Sequence, residues 1–448
     1  MGSDDPTADY RGTYGGKKGV IKTGPEYLTV FEGSTGKELS TVAYEPSRNI
    51  ISDSAWGDSY GNRSERYLAC VAYLDGKKPS LVMCRGYYTA AYLCAWDFDG
   101  KELKKKWMHA STVKGQGAYG EGAHSLAVGD VDGDGCDEIV YGACCIDHDG
   151  SLLYRTGLGH GDALHLGDFI PDRDGLEVFM VHEEKSAAYG FEMRDACTGE
   201  ILSGRKMGAD IGRGLCADID SLSRGAEYWS LAKFNVTADG KYNNITFDCN
   251  GDSISTRRPP VNFRTYWTGN LSEELQEKGI ISQWVNKTSN CSTLTDFVST
   301  YGCGVNLIKD TPSLQADIFG DWREECIYYD EATKSNLMIF STPFTSPYRV
   351  PCLMHDHIYR MSICWQNVAY NQPPHLGYYL RDYVKNQQSN PTGILQPSIT
   401  EEQSNIEIPF TLISEGIVIR YTDMNNTSCN IRVYSQDGLC VYHTTNKL

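Results

Sequence analysis

The 448-residue sequence has no run approaching the roughly 18 consecutive apolar residues of a membrane-spanning helix, and its opening MGSDDPTADYRG is polar rather than leader-like. It also lacks a basic footprint. Lys and Arg number 41 against 58 Asp and Glu, a formal net charge of −17, so nucleic acid is excluded as an expected partner. A polyanionic substrate would need bridging cations or a local basic cluster. None of the 16 cysteines forms a Cys-x-x-Cys pair, which argues against a structural thiolate zinc site. Thiols such as Cys144, Cys145 and Cys326 fall in strand-like runs and read as buried free thiols rather than disulfides. Helical periodicity is scarce too. Only NLSEELQEKGI (270–280) reads as a helix, with Asn270 and Glu273 as a capping box, inserted between strands.

What the chain does have is repetition. GDVDGDGCDEIVYG (129–142) places Asp130, Asp132 and Asp134 at alternate positions, followed by Glu138. Like charges this close stay ionised when a hard cation sits among them, so the four carboxylates are predicted to hold a structural Ca²⁺. Tyr141 stands where an EF-hand would have its twelfth-position ligand, and the loop runs straight into the strand-like IVY. Related acidic loops begin at Asp168, Asp218 and Asp317, with room for a divergent unit before the last. Hairpins with Gly or Asp-Gly turns recur in YLTVFEGSTGKEL, YLCAWDFDGKEL, CIDHDGSLLY and GFEMRDACTGEIL. A period of about 40 to 50 residues with several short strands per unit predicts an all-β chain of the β-propeller type.

In a propeller the first strand of each blade lines the centre, so residues just before each acidic loop's strand should converge. Counting back from the repeat aspartates reaches His124, then Asp162 with His160, then Arg213, then Lys309. These polar residues at comparable places form the predicted site.

The stretches GLGHGDALHLGD (157–168) and WQNVAYNQPPHLGYYL (365–380) resemble polysaccharide lyase family 11, the rhamnogalacturonan lyases. The likeness extends through TGPEYLTVFEG from Thr23, WGDSYGNR from Trp56, GYYTAAYLCAWDFDGK from Gly86, GRGLCADID from Gly212, LQADIFGDWREE from Leu314 and LMHDHIYRMS from Leu353. It implies an eight-bladed β-propeller with several Ca²⁺ ions that cleaves the rhamnose-to-O4-galacturonate bond of rhamnogalacturonan I by β-elimination. A cation on the uronate carboxylate would acidify the C5 proton and stabilise the enolate-like intermediate. Carried over residue by residue, His124, His160, Asp162, Glu183 and Asn367 are the implied ligands of the site calcium. Mn²⁺ is a candidate substitute, because imidazole is an unusual ligand for a hard cation. Arg213, Lys309, Asn306 and Tyr370 are the implied substrate contacts. Of the two candidate bases, Lys309 is preferred over Arg213, since a guanidinium normally stays charged.

About six blade equivalents are expected, the family's first blades being absent from this sequence. The expected division is a flexible segment 1–22, a propeller 23–395 and a short C-terminal β tail 396–448. The tail's IRVYSQDGLCVY is similar to type IX secretion sorting domains. Where the family has N-N-G-T-K, the chain reads GVNLIK (304–309), replacing Gly and Thr by Leu307 and Ile308. The expected partner is pectic polysaccharide, and the protein is expected to be a monomer in an extracellular, cell-surface or periplasmic setting. A non-catalytic, calcium-stiffened propeller that binds pectic polysaccharide or a protein partner is the alternative.

Overall fold

The computed structural model describes residues 7–234, 244–306 and 309–389, together with the backbones of four C-terminal strands. The chain is all-β with few helices, built mainly of successive four-stranded antiparallel sheets. The first sheet comprises Tyr67–Ala72, Ser80–Arg85, Ala91–Phe98 and Leu103–Ser111. Four more begin with Ala127–Gly129, Leu164–Gly167, Gly214–Ala217 and Phe263–Thr265, each continuing strand by strand in chain order. In the sixth, Leu314–Ala316 and Cys303–Gly304 share one side of Glu325–Asp330, and Leu337–Phe340 takes the other. Among the described residues, six blade-like sheets thus stand where about six are expected. In the second, third and fourth sheets the first and second strands are buried on both faces, as in AVG, LHLG, GLCA and EVFMV. Near-continuous apolar runs therefore replace the alternation of a one-sided sheet.

The hairpins predicted from Gly and Asp-Gly turns all form. At Asp99–Gly100 the aspartate carboxylate accepts from the Lys101 and Glu102 amides while Gly100 adopts φ +90°, a left-handed conformation natural to glycine.

Each acidic loop joins the first strand of its sheet to the second, and one glutamate braces it. Glu138 accepts from the Val131 amide, Glu177 from Phe169 and Ile170, Glu227 from Ile219 and Asp220, and Glu325 from Ile318 and Phe319. Glu274 does the same for Trp267 and Thr268. This corrects the predicted helix at 270–280. Glu274–Glu277 is a strand, and Leu271 and Lys278 carry positive φ, which no α-helix accommodates. Glu273 caps nothing locally; it accepts from the Asp218 amide at 2.7 Å.

The segment expected to be flexible at 1–22 holds an antiparallel hairpin, Arg11–Tyr14 with Lys17–Ile21, turned by Gly15 and Gly16, both at positive φ. Lys22, beyond it, is buried and ion-paired with Asp53. In the tail, Phe410–Ile413 pairs with Gly416–Ile419 and Cys429–Tyr434 with Cys440–Asn446; the Asp-Gly turn between the latter lies outside the described residues. Every described cysteine is a free thiol. No described helix is long and apolar enough to cross a membrane.

The segment from Leu353 to Arg381 ties the sheets together. Its helix His357–Trp365 is capped by Asp356, which accepts from the Tyr359 amide. Ile358 lies against Gly129, where a Cβ would clash at 2.3 Å. Gln366 and Gln315 exchange hydrogen bonds of 2.8 Å, His375 meets His165 at 2.9 Å, and Arg381 pairs with Asp218 at 2.6 Å. One segment thereby contacts the first strands or acidic loops of the second, third, fourth and sixth sheets.

Candidate functional site

The residues just before the first strands do meet. Asp162, directly upstream of Leu164–Gly167, is the junction: its Oδ1 lies 3.3 Å from His124 Nε2, its Oδ2 accepts from Lys309 Nζ at 3.1 Å, and its backbone carbonyl accepts from Arg213 Nη1 at 2.8 Å. His160 and Glu183 complete the group, their side chains 3.5 Å apart. His124, His160, Asp162 and Glu183 each offer a ligand atom within 4.8 Å of the others.

Their hydrogen bonds separate the roles. His160 Nδ1 donates to the Gly122 carbonyl at 2.5 Å, which leaves Nε2 as the lone-pair nitrogen. That nitrogen is buried and has no hydrogen-bond partner. An orphaned imidazole lone pair between two carboxylates is a natural cation ligand. His124 differs, since Tyr87 and Tyr88 hydroxyls occupy Nδ1 and Nε2, each at 2.9 Å. It can join a metal through Nε2 only by exchanging Tyr88. Burial, with His160 beside it, holds His124 down to about 3, so its ring is neutral. Burial raises the Asp162 carboxyl.

Arg213 is buried and fully engaged. Besides Asp162 it donates to the Asn262 side-chain oxygen at 2.9 Å, and Gln372, with its amide oxygen turned inward, accepts at 2.6 Å. Burial lowers it to about 10. Tyr370 stacks on His124, centroids 4.1 Å apart, and Lys309 Nζ sits 4.5 Å above the Tyr370 ring. Asn367 is exposed and donates to the Ser313 carbonyl. Asn306 closes the turn leading to Lys309, its amide donating to Thr311 and its carbonyl accepting from Asp310. Leu307 and Ile308 lie outside the described residues.

The search by register did not reach Asn262, Tyr87, Tyr88, Arg63 and Arg66. Asn262 immediately precedes Phe263–Thr265, as Arg213 precedes Gly214–Ala217. The misread Glu274 loop concealed it. Tyr87 and Tyr88 come from the connection between the second and third strands of the first sheet, outside that register. Arg63 covers the Tyr88 ring at 4.7 Å and Arg66 lies 5.9 Å from it. With Arg213 and Lys309 they form a local basic cluster in an acidic protein, the feature a polyanionic ligand requires.

The predicted loop quartet divides. Asp130, Asp132 and Glu138 come together, whereas Asp134 groups with Cys136 and His148.

Residues 2–390 match the family described as rhamnogalacturonan lyase family 11, C-terminal domain. The chain belongs to rhamnogalacturonan lyase family 11. This family 11 chain is 46% identical over 382 residues to the rhamnogalacturonan endolyase YesW of Bacillus subtilis (strain 168), covering 85% of itself and 58% of that protein. It is 48% identical over 391 residues to the exolyase YesX of the same organism, covering 85% and 62%. Among solved structures, Bacillus licheniformis rhamnogalacturonan lyase PL11 superposes with a TM-score of 0.76 at 48% identity, covering 83% of this chain and 61% of that one. The chain spans about three fifths of the length of these relatives.

Proposed function

We propose that this chain is a rhamnogalacturonan lyase that breaks the bond between rhamnose and O4 of galacturonate by β-elimination. The observation that carries the reading is the meeting of an orphaned imidazole nitrogen and two carboxylates with a basic cluster, on a chain of this family. The six sheets are read as blades of a propeller of the eight-bladed type, with its site where the first strands begin. Such a polymer is met outside cells, in keeping with an extracellular, cell-surface or periplasmic setting.

His160, Asp162 and Glu183, with His124, would hold Ca²⁺, or Mn²⁺ in its place. The cation would neutralise the galacturonate carboxylate and so acidify the C5 proton. Lys309, Arg63 and Arg66 would bind the anionic chain electrostatically, and Tyr370 would offer its ring to a sugar. Arg213, with its donors already directed at Asn262 and Asp162, orients the site. Lys309 is the proposed base: its ammonium first gives up a proton to solvent, the free amine takes the C5 proton, the C4–O4 bond breaks, and the departing rhamnosyl oxygen takes a proton from solvent as a C4=C5 double bond forms.

Mass spectrometry of rhamnogalacturonan I digests tests the reaction type. Elimination gives products with an unsaturated terminal uronate, lighter by one water than hydrolysis products. Saturated products would overturn the lyase reading; binding without products would favour the non-catalytic alternative.

A further inference from the structure

A groove of about 620 Å³ is lined by Ser52, Asp53, Ser54, Gly57, Asp58 and Ser59. A chain of contacts joins it to the cation cluster. The rings of His160 and Tyr88 lie 4.2 Å apart, the Arg63 guanidinium covers Tyr88 at 4.7 Å, and the Arg63 stem runs back against Gly57, where a Cβ would meet its Cδ at 3.0 Å. Arg63 therefore stands between cleft and groove and touches both.

The groove is held in shape from within the protein. Buried Lys22 pairs with the Asp53 carboxylate and donates to the Ser59 carbonyl at 3.1 Å. Asp58 accepts from the amides of Tyr60, Gly61 and Arg63 at 2.7 to 3.0 Å. The charge of one carboxylate is thus offset and the oxygens of the other are filled. Left open to a ligand are Ser52, Ser54 and Ser59, all exposed. Tyr60 follows directly, and the exposed Lys17 holds its Nζ 4.5 Å from the Tyr60 ring. The turn of the N-terminal hairpin keeps that ring in place, since a Cβ on Gly15 would meet the Tyr60 Cβ at 2.7 Å. Hydroxyls, an aromatic ring and flanking cations are together what a chain of neutral and acidic sugars needs: partners for its hydroxyls, a surface for its apolar faces and counter-charges for its carboxylates. A groove already fixed in shape binds such a chain without an ordering cost of its own.

We infer that this groove is a saccharide subsite holding the stretch of pectic chain that runs on from the cleft past Arg63. In it the serines meet sugar hydroxyls, Tyr60 meets a sugar face, and Arg63 and Lys17 meet uronate carboxylates. The identity of the polymer rests on the lyase reading; the binding itself does not require cleavage.

Affinity electrophoresis of the full chain in gels containing rhamnogalacturonan I, run with a chelator, tests it. No groove residue belongs to a metal-ligand group, so chelation stops cation-assisted cleavage and leaves the groove intact. We expect the unmutated chain to be retarded. Ser54→Trp fills the groove without changing its charge, and Lys17→Glu reverses the charge at its rim; each should weaken binding ~5-fold or more. No retardation of the unmutated chain, or unchanged affinity in either variant, would overturn the inference. Near-ultraviolet circular dichroism checks that both variants are folded. Retardation that depends on Ser54 and Lys17, with no unsaturated product once Ca²⁺ is restored, would sink the lyase reading and leave the subsite standing.

Discussion

At the scale of single residues, position relative to the first strand carries most of the information. His124, Asp162, Arg213 and Lys309 are far apart in sequence, yet each stands a few residues before the strand that leads into an acidic loop, and Asp162 contacts the other three. That register was legible in the sequence because an acidic loop marks each of these four sheets. The aromatic partners of His124 and His160 were not, since Tyr87 and Tyr88 come from a different connection and have no such marker. Two substitutions separate charge from proton transfer at Lys309. Lys309→Arg keeps the cation near Asp162 but replaces the amine with a group that does not serve as a base near neutrality. We expect kcat to fall by ~10²-fold or more with KM little changed, whereas Lys309→Met should impair both. Steady-state kinetics on rhamnogalacturonan I checks this; full activity in Lys309→Met would remove Lys309 from the chemistry.

At the scale of elements, the glutamate brace explains both a success and a failure of sequence reading. Four acidic loops were recognisable from their aspartates. The fifth lacks that spacing, and its NLSEEL looks like a helix start until Glu274 is seen accepting from Trp267 and Thr268. The two readings predict different energetics. Glu274→Ala leaves two loop amides unpaired and should cost about 2 to 6 kcal/mol, given about 1 to 3 kcal/mol for each buried group left unsatisfied. Glu274→Gln retains an oxygen for both amides and should cost about 1 kcal/mol or less. Denaturant titration of the two variants distinguishes these outcomes, and equal losses would contradict the brace. The helix His357–Trp365 was missed for another reason. Its partners, Gly129 and the Gln315 region, lie far away in the chain, and nine residues give little periodicity to detect.

At the scale of the whole molecule, five sheets each bury a brace glutamate, and burial raises all five above the usual carboxylate range. Glu138, Glu227 and Glu325 are pushed up to about 8, and Glu177 and Glu274 to about 7. The sign follows from linkage. A carboxyl whose folded value exceeds its unfolded one binds more protons folded, so its contribution is present at low pH and lost as pH rises through about 7 to 8. Buried His165, lowered to about 3, opposes this only below the ordinary imidazole value of 6.5. Above that value the glutamates dominate. Chelated protein should therefore melt at a lower temperature at pH 8.5 than at pH 7. Ca²⁺ should narrow the difference, because a cation replaces the proton at Glu138. Melting scans at both pH values, with and without Ca²⁺, check this; a chelated protein equally stable at both would show that these carboxyls ionise without cost. The six-sheet count was legible from the repeats. The segment from Leu353 to Arg381 was not, because single long-range pairs such as Gln366 with Gln315 and His375 with His165 leave no local pattern.

The most direct test of the proposed cation-assisted lyase site is the ultraviolet absorbance of unsaturated uronate released from rhamnogalacturonan I, followed with added Ca²⁺, after chelation, and in His160→Ala. A rise that requires the cation and vanishes in folded His160→Ala is the expected result. A flat trace from folded, calcium-loaded protein, or a rise unaffected by chelation and by His160→Ala, would contradict it.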